Sequence, residues 1–232
     1  MRARYYLVIA VIHCLTLIST PLLAGWTVTY LSGSSSRAYG VSGGQQVGYV
    51  GLHAGLWSGT AGSWVDLNPA GFTSSAAQGI SGSQQVGYVA GPATGGKIHG
   101  SLWSGSVSSW VDLNPTECEY SYGSGASGAQ QVGYACGAAT GGWEHASLWQ
   151  GTAASWFDLH SLLGADYRTS AARGVEVVGE GICIVGSAKS SATNSDASVL
   201  WHYTPDVVPE PSSFLTLGAG LFALCGLLRR RK

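Results

Sequence analysis

Trp57, Trp103 and Trp149 follow one another at a constant interval of 46 residues, each directly after a leucine. The strings around them return with each copy. Gln45-Gln46-Val47-Gly48-Tyr49 recurs as Gln84-Gln85-Val86-Gly87-Tyr88 and as Gln130-Gln131-Val132-Gly133-Tyr134, and Trp64-Val65-Asp66-Leu67 recurs as Trp110-Val111-Asp112-Leu113 and Trp156-Phe157-Asp158-Leu159. A fourth, degraded copy runs from Ala171 through Val185-Gly186 to Leu200-Trp201. A chain built this way must fold as one small unit repeated, because each unit buries its apolar face only against its neighbours.

Within a copy the pattern is that of strands. The second copy reads as four: one around Ala77-Gln78-Gly79-Ile80, one from Gln85 to Val89 with Val86 and Tyr88 alternating, one from His99 to Trp103, and one from Ser109 to Leu113. Gly and Ser pairs punctuate them, and Asn68-Pro69 and Asn114-Pro115 supply turn chemistry. Composition agrees. There are 35 Gly and 9 Trp, and only 10% of residues are charged, against about 25% in ordinary soluble domains. Four strands in such a repeat predict an all-β domain over residues 25–205, arranged as a four-bladed β-propeller. The fourth copy lacks the Ser-Trp-Val-Asp-Leu strand. Gly25-Trp26-Thr27-Val28-Thr29-Tyr30-Leu31 is an unattached strand-like segment, expected to close the ring by pairing beside Trp201. The alternative is a β-sandwich or an open array of hairpin pairs.

The two flanks read as addresses. Residues 1–24 have the form of a secretory signal peptide, with Arg2 and Arg4, an apolar run from Leu7 to Ile18, and Leu22-Leu23-Ala24 before the cut. Residues 206–232 hold Pro209-Glu210-Pro211, then an apolar stretch over 213–228, expected to be a transmembrane helix, then Arg229-Arg230-Arg231-Lys232. The prolines keep their segment extended, the apolar stretch enters a bilayer, and the basic cluster stays on the cytoplasmic side. This order resembles the PEP-CTERM sorting signal. The resemblance implies that an exosortase recognises Pro209, Glu210 and Pro211, with Arg229, Arg230 and Arg231 as the basic end of the signal. It also implies that the secretion machinery is a partner, and that the tail anchors the protein in the inner membrane before processing delivers it to the cell surface. The repeats are similar to the bacterial extracellular HAF repeat, carried by Ala54-Gly55-Leu56-Trp57 and His145-Ala146-Ser147-Leu148-Trp149. That likeness implies an extracellular β domain and no particular activity.

Chemistry is sparse. The interior retains few basic residues and nearly all the acids, so it lacks the basic stripe that nucleic acid requires. His53, His99 and His145 are repeat-equivalent and would meet at a metal only if they converged on a central channel; otherwise each braces a turn of its own blade. Asp66, Asp112 and Asp158 are equivalent too, and in a Trp-x-Asp-Leu strand they are expected to accept backbone N–H groups. No second acid is spaced for a glycosidase pair, and Gly123-Ser124-Gly125 lacks the strand-to-helix setting of a nucleophile elbow. Cys118 and Cys136 are candidates for a disulfide in an oxidising compartment, with Cys183 left over. No Cys-x-x-Cys spacing occurs. Trp143, in a Gly-rich loop, is the candidate ligand-binding residue. The resulting expectation is a non-catalytic surface or matrix scaffold associated with exopolysaccharide, with no cofactor. The alternatives are a carbohydrate-binding module using loop aromatics and, more remotely, a propeller lyase or glycosidase.

Overall fold

Residues 25–205 are described by a computed structural model, and every regular element among them is a β-strand or a short 3₁₀ turn. The strands form four antiparallel sheets, one per sequence copy. The first holds β1 (Ser36–Ser42), β2 (Gln45–Val50), β3 (His53–Trp57) and β4 (Val65–Asp66). The second holds β5 (Ser74–Ser81), β6 (Gln84–Ala90), β7 (Ile98–Trp103) and β8 (Val111–Asp112). The third holds β9 (Cys118–Ser127), β10 (Gln130–Gly137), β11 (His145–Trp149) and β12 (Phe157–Asp158), and the fourth only β13 (Tyr167–Val178), β14 (Gly181–Ser190) and β15 (Asp196–Tyr203). The missing strand is the one the degraded copy lacks in sequence.

The sheets stack in chain order. β5 lies across β1, β2 and β3; β9 lies across β5, β6 and β7; β13 lies across β9, β10 and β11. Three apolar cores result, one between each consecutive pair. The first joins Val47, Leu56 and Leu67 to Ala77, Val89 and Trp103. The second joins Val86, Leu102 and Leu113 to Ala135 and Trp149, and the third joins Val132, Ala146 and Leu159 to Ala172, Ile184 and Trp201. Each later tryptophan therefore plugs the sheet before it, which is why the Leu-Trp interval is so regular. Truncating such a Trp costs about 3–5 kcal/mol.

The invariant glycine of Val-Gly-Tyr has its cause in the first strand of each copy, which carries a bulge at Tyr39, Gln78, Ser124 and Arg173. There the first strand's carbonyl presses on the second strand. A Cβ on Gly48 would lie 1.8 Å from the Arg37 oxygen, on Gly87 1.9 Å from that of Ala76, and on Gly133 1.7 Å from that of Tyr122.

Two expectations are corrected. The fourth strand of a copy is two residues long, not five, because a 3₁₀ turn (Val107–Ser109 in the second copy) occupies its beginning. At its other end Leu113 leaves the pairing, donating its N–H to the Gly100 carbonyl while its side chain fills the core. The ring closure is not made either. Residues 26–31 form no strand, among the described residues β15 pairs with β14 alone, and Trp26, Val28 and Tyr30 are 100%, 80% and 82% exposed. The reason is geometric: each sheet stacks on the one before it, and the fourth makes no comparable packing on the first. The architecture is all-β with four stacked sheets, as in the open-array alternative. Among the described residues no helix is long and apolar enough to cross a membrane. The signal peptide and the sorting tail, with its 213–228 segment, lie outside the described residues.

Candidate binding face and the His–Asp pairs

The equivalent histidines do not converge. His53, His99 and His145 stand at the start of the third strand of their sheets, first or second in it, and each holds its Nδ1 2.8 Å from an oxygen of Asp66, Asp112 or Asp158 in the fourth strand of the same sheet. The other carboxylate oxygen accepts the N–H two residues on, from Asn68, Asn114 or His160, at 2.8–2.9 Å. The Asp therefore ends a strand and fixes a turn, and the His ties that end to its neighbour. Among the described residues no group of three or more His, Cys, Asp or Glu could hold a metal ion.

The turn residue then reaches the next sheet. The Asn68 Oδ1 accepts from the Ser75 hydroxyl, whose oxygen accepts the Ala54 N–H, both at 2.8 Å. In the third copy His160 replaces Asn, with Nδ1 2.8 Å from the Ser170 Oγ and its ring stacked 3.9 Å from that of His145. Burial, and after it the neighbouring His145, holds the His160 imidazole below its ordinary pKa.

Trp143 stands half-exposed after the turn Ala138–Thr140, where the second copy has Lys97. The Arg168 guanidinium lies over its ring at 4.7 Å. Lys97 makes the corresponding bridge, with its ammonium 3.2 Å from Glu119 of the following sheet.

A feature missed in sequence is a row of tyrosines. Tyr39 and Tyr49 lie 5.9 Å apart, Tyr88 and Tyr122 5.2 Å, and Tyr122 and Tyr134 5.4 Å with nearly parallel rings. Burial raises the pKa of Tyr88, Tyr122 and Tyr134, and neighbouring phenols add to this for Tyr88 and Tyr122. The signal was the recurrent Tyr of Val-Gly-Tyr, whose alternation with Val marked a strand without showing that rings from successive sheets would meet. In the fourth copy Ser187 takes that position. There the row gives way to a polar cleft of about 270 Å³ lined by Glu144, Arg173, Ser187, Lys189 and Asp196. Phenol faces beside such a cleft can stack on sugar rings and bond hydroxyls.

Cys118 and Cys136 are buried free thiols on the neighbouring strands β9 and β10, and Cys183 is a half-buried free thiol. Burial, then Cys136, pushes the Cys118 thiol up to about 11, so it is poorly nucleophilic.

No curated protein matches the chain. Residues 207–232 match the PEP-CTERM protein-sorting motif, a signal that implies export to the cell surface; the chain carries it on the Pro209-Glu210-Pro211 and Arg229-Arg230-Arg231 segments.

Proposed function

We propose that this is an exosortase-processed surface protein whose repeat domain serves as a non-catalytic scaffold in the extracellular matrix. The sorting motif carries the first half of that reading. In the motif's logic the tail engages the inner membrane, an exosortase acts at the Pro-Glu-Pro segment, and the domain passes to the surface. The domain supports the second half. Its His–Asp pairs are spent on turns, the tryptophans of its Leu-Trp pairs are buried, and its charged residues are few. Replacing Pro209, Glu210 and Pro211 together by alanine should leave the protein in the inner-membrane fraction, where the unaltered chain is found at the surface. Equal surface delivery of both would refute the sorting reading.

The tyrosine row favours a second reading, in which the domain holds exopolysaccharide. The rings, the polar cleft and Trp143 would form the contact, as in a carbohydrate-binding module. Tyr122→Ala and Trp143→Ala should each weaken retention on the organism's own exopolysaccharide several-fold, and unchanged retention would remove this reading.

A further inference from the structure

Among the described residues the stack ends with both halves of its repeating interface unused. On the fourth sheet, Val185 and Leu200 hold the positions of Val47 and Leu56, as the pairing of β14 with β15 shows. Val47 and Leu56 are 0% and 3% exposed beneath the next sheet, whereas Val185 and Leu200 are 53% and 64% exposed. They line an open groove of about 460 Å³ with Arg173, Ser198 and Val199.

The first sheet presents the complementary half. In β5 and β13, Ala77 and Ala172 press into the preceding core and are fully buried. Ala38, their equivalent in β1, is exposed. Ser75, Ser121 and Ser170 accept the N–H of Ala54, Gly100 and Ala146 in the preceding sheet at 2.8–2.9 Å. Ser36 keeps that serine in β1, and Ser198 keeps the matching N–H position in β15. The missing fourth strand has a donor as well. Trp26 precedes β1 by about the span that separates Trp64 from β5, and residues 26–31 carry apolar side chains on alternate positions and pair with no strand among the described residues.

We infer that a second copy of this chain docks head to tail on the fourth sheet, its β1 lying across β13–β15 as β13 lies across β9–β11, and its Trp26–Leu31 segment adding to the free edge of β15. The interface is heterologous, so it propagates into a filament or closes into a ring. Either form satisfies an apolar face and a strand edge that the described residues of one chain leave open.

Sedimentation of the exported protein purified from cells tests this, alongside Leu200→Glu and a Thr27→Cys, Leu200→Cys double variant. Leu200 is already exposed within one chain, so the glutamate leaves the fold intact, which an unchanged melting temperature verifies. The expected result is concentration-dependent association that Leu200→Glu weakens at least about ten-fold by burying an unpaired charge. In the double variant, disulfides should join position 27 of one chain to position 200 of the next. A monomer at all concentrations, association indifferent to Leu200→Glu, or bridges formed only within one chain would each overturn it. The outcome is separable from the sorting reading, which concerns residues 207–232 and not this face.

Discussion

The Arg168 guanidinium over the Trp143 ring and the Lys97–Glu119 ion pair are the same bridge made twice. Lys97 and Trp143 each follow a Thr-Gly-Gly turn, and Glu119 and Arg168 each stand two residues before the docking serines Ser121 and Ser170. A basic–acidic contact in one copy has become a cation–π contact in the next, at a position that ties a turn to the following sheet. Trp143→Ala should therefore cost stability as well as any ligand contact, by about 0.5–1 kcal/mol. Thermal unfolding of Trp143→Ala beside Lys97→Ala checks this; Lys97→Ala, removing only an exposed ion pair, should fall below it.

The glycine of Val-Gly-Tyr is predicted to be irreplaceable. A methyl group on Gly87 would meet the Ala76 carbonyl oxygen at 1.9 Å, and the contact is with backbone, which cannot rotate away. Gly87→Ala should destabilise by about 2–3 kcal/mol, read as a lower denaturant midpoint at unchanged slope. Gly62→Ala, with nothing within 4 Å of the added carbon, is the control and should stay within about 0.5 kcal/mol.

The carboxylates are predicted to matter to folding alone. Asp158→Ala removes the partner of His145 and the acceptor for the His160 N–H, at a cost of about 1–2 kcal/mol. Denaturant unfolding measures it, and the same loss should follow at Asp112, whose two bonds are the same.

His160 gives the fold a pH dependence of known sign. Its folded-state pKa lies below the ordinary value, so the folded chain holds it neutral. The stability it contributes is complete above the unfolded-state pKa, near 6.5, and is lost as pH falls from there through the folded-state pKa. Melting temperature should therefore drop between about pH 7 and pH 5. His160→Asn restores the residue of the first two copies and should flatten that drop.

Much of this architecture could be read from the residues. The four copies became four sheets, the strand missing from the fourth copy is missing from the fourth sheet, and the tryptophans of the Leu-Trp pairs became core. What escaped was the relation between copies. Equivalent histidines suggest a shared channel only if the ring closes, and closure depends on how each first strand crosses the sheet before it, which no periodicity encodes. The segment from Ser109 to Leu113 reads as one long strand because Trp110 and Leu113 look like strand residues. In the structure the Trp110 indole instead donates to the Ser101 hydroxyl at 3.0 Å and Leu113 turns into the core. The tyrosine row escaped too, because it joins strand neighbours within a sheet, Tyr122 and Tyr134, to a ring of the sheet before, Tyr88.

The most direct test of the central claim is the intact mass of the protein recovered from the cell surface, with and without the exosortase. The expected species lacks residues 1–24 and the segment beyond the Pro209-Glu210-Pro211 region, and it disappears from the surface when the enzyme is absent. A surface protein that still carries residues 212–232, or one delivered equally without the enzyme, would contradict it.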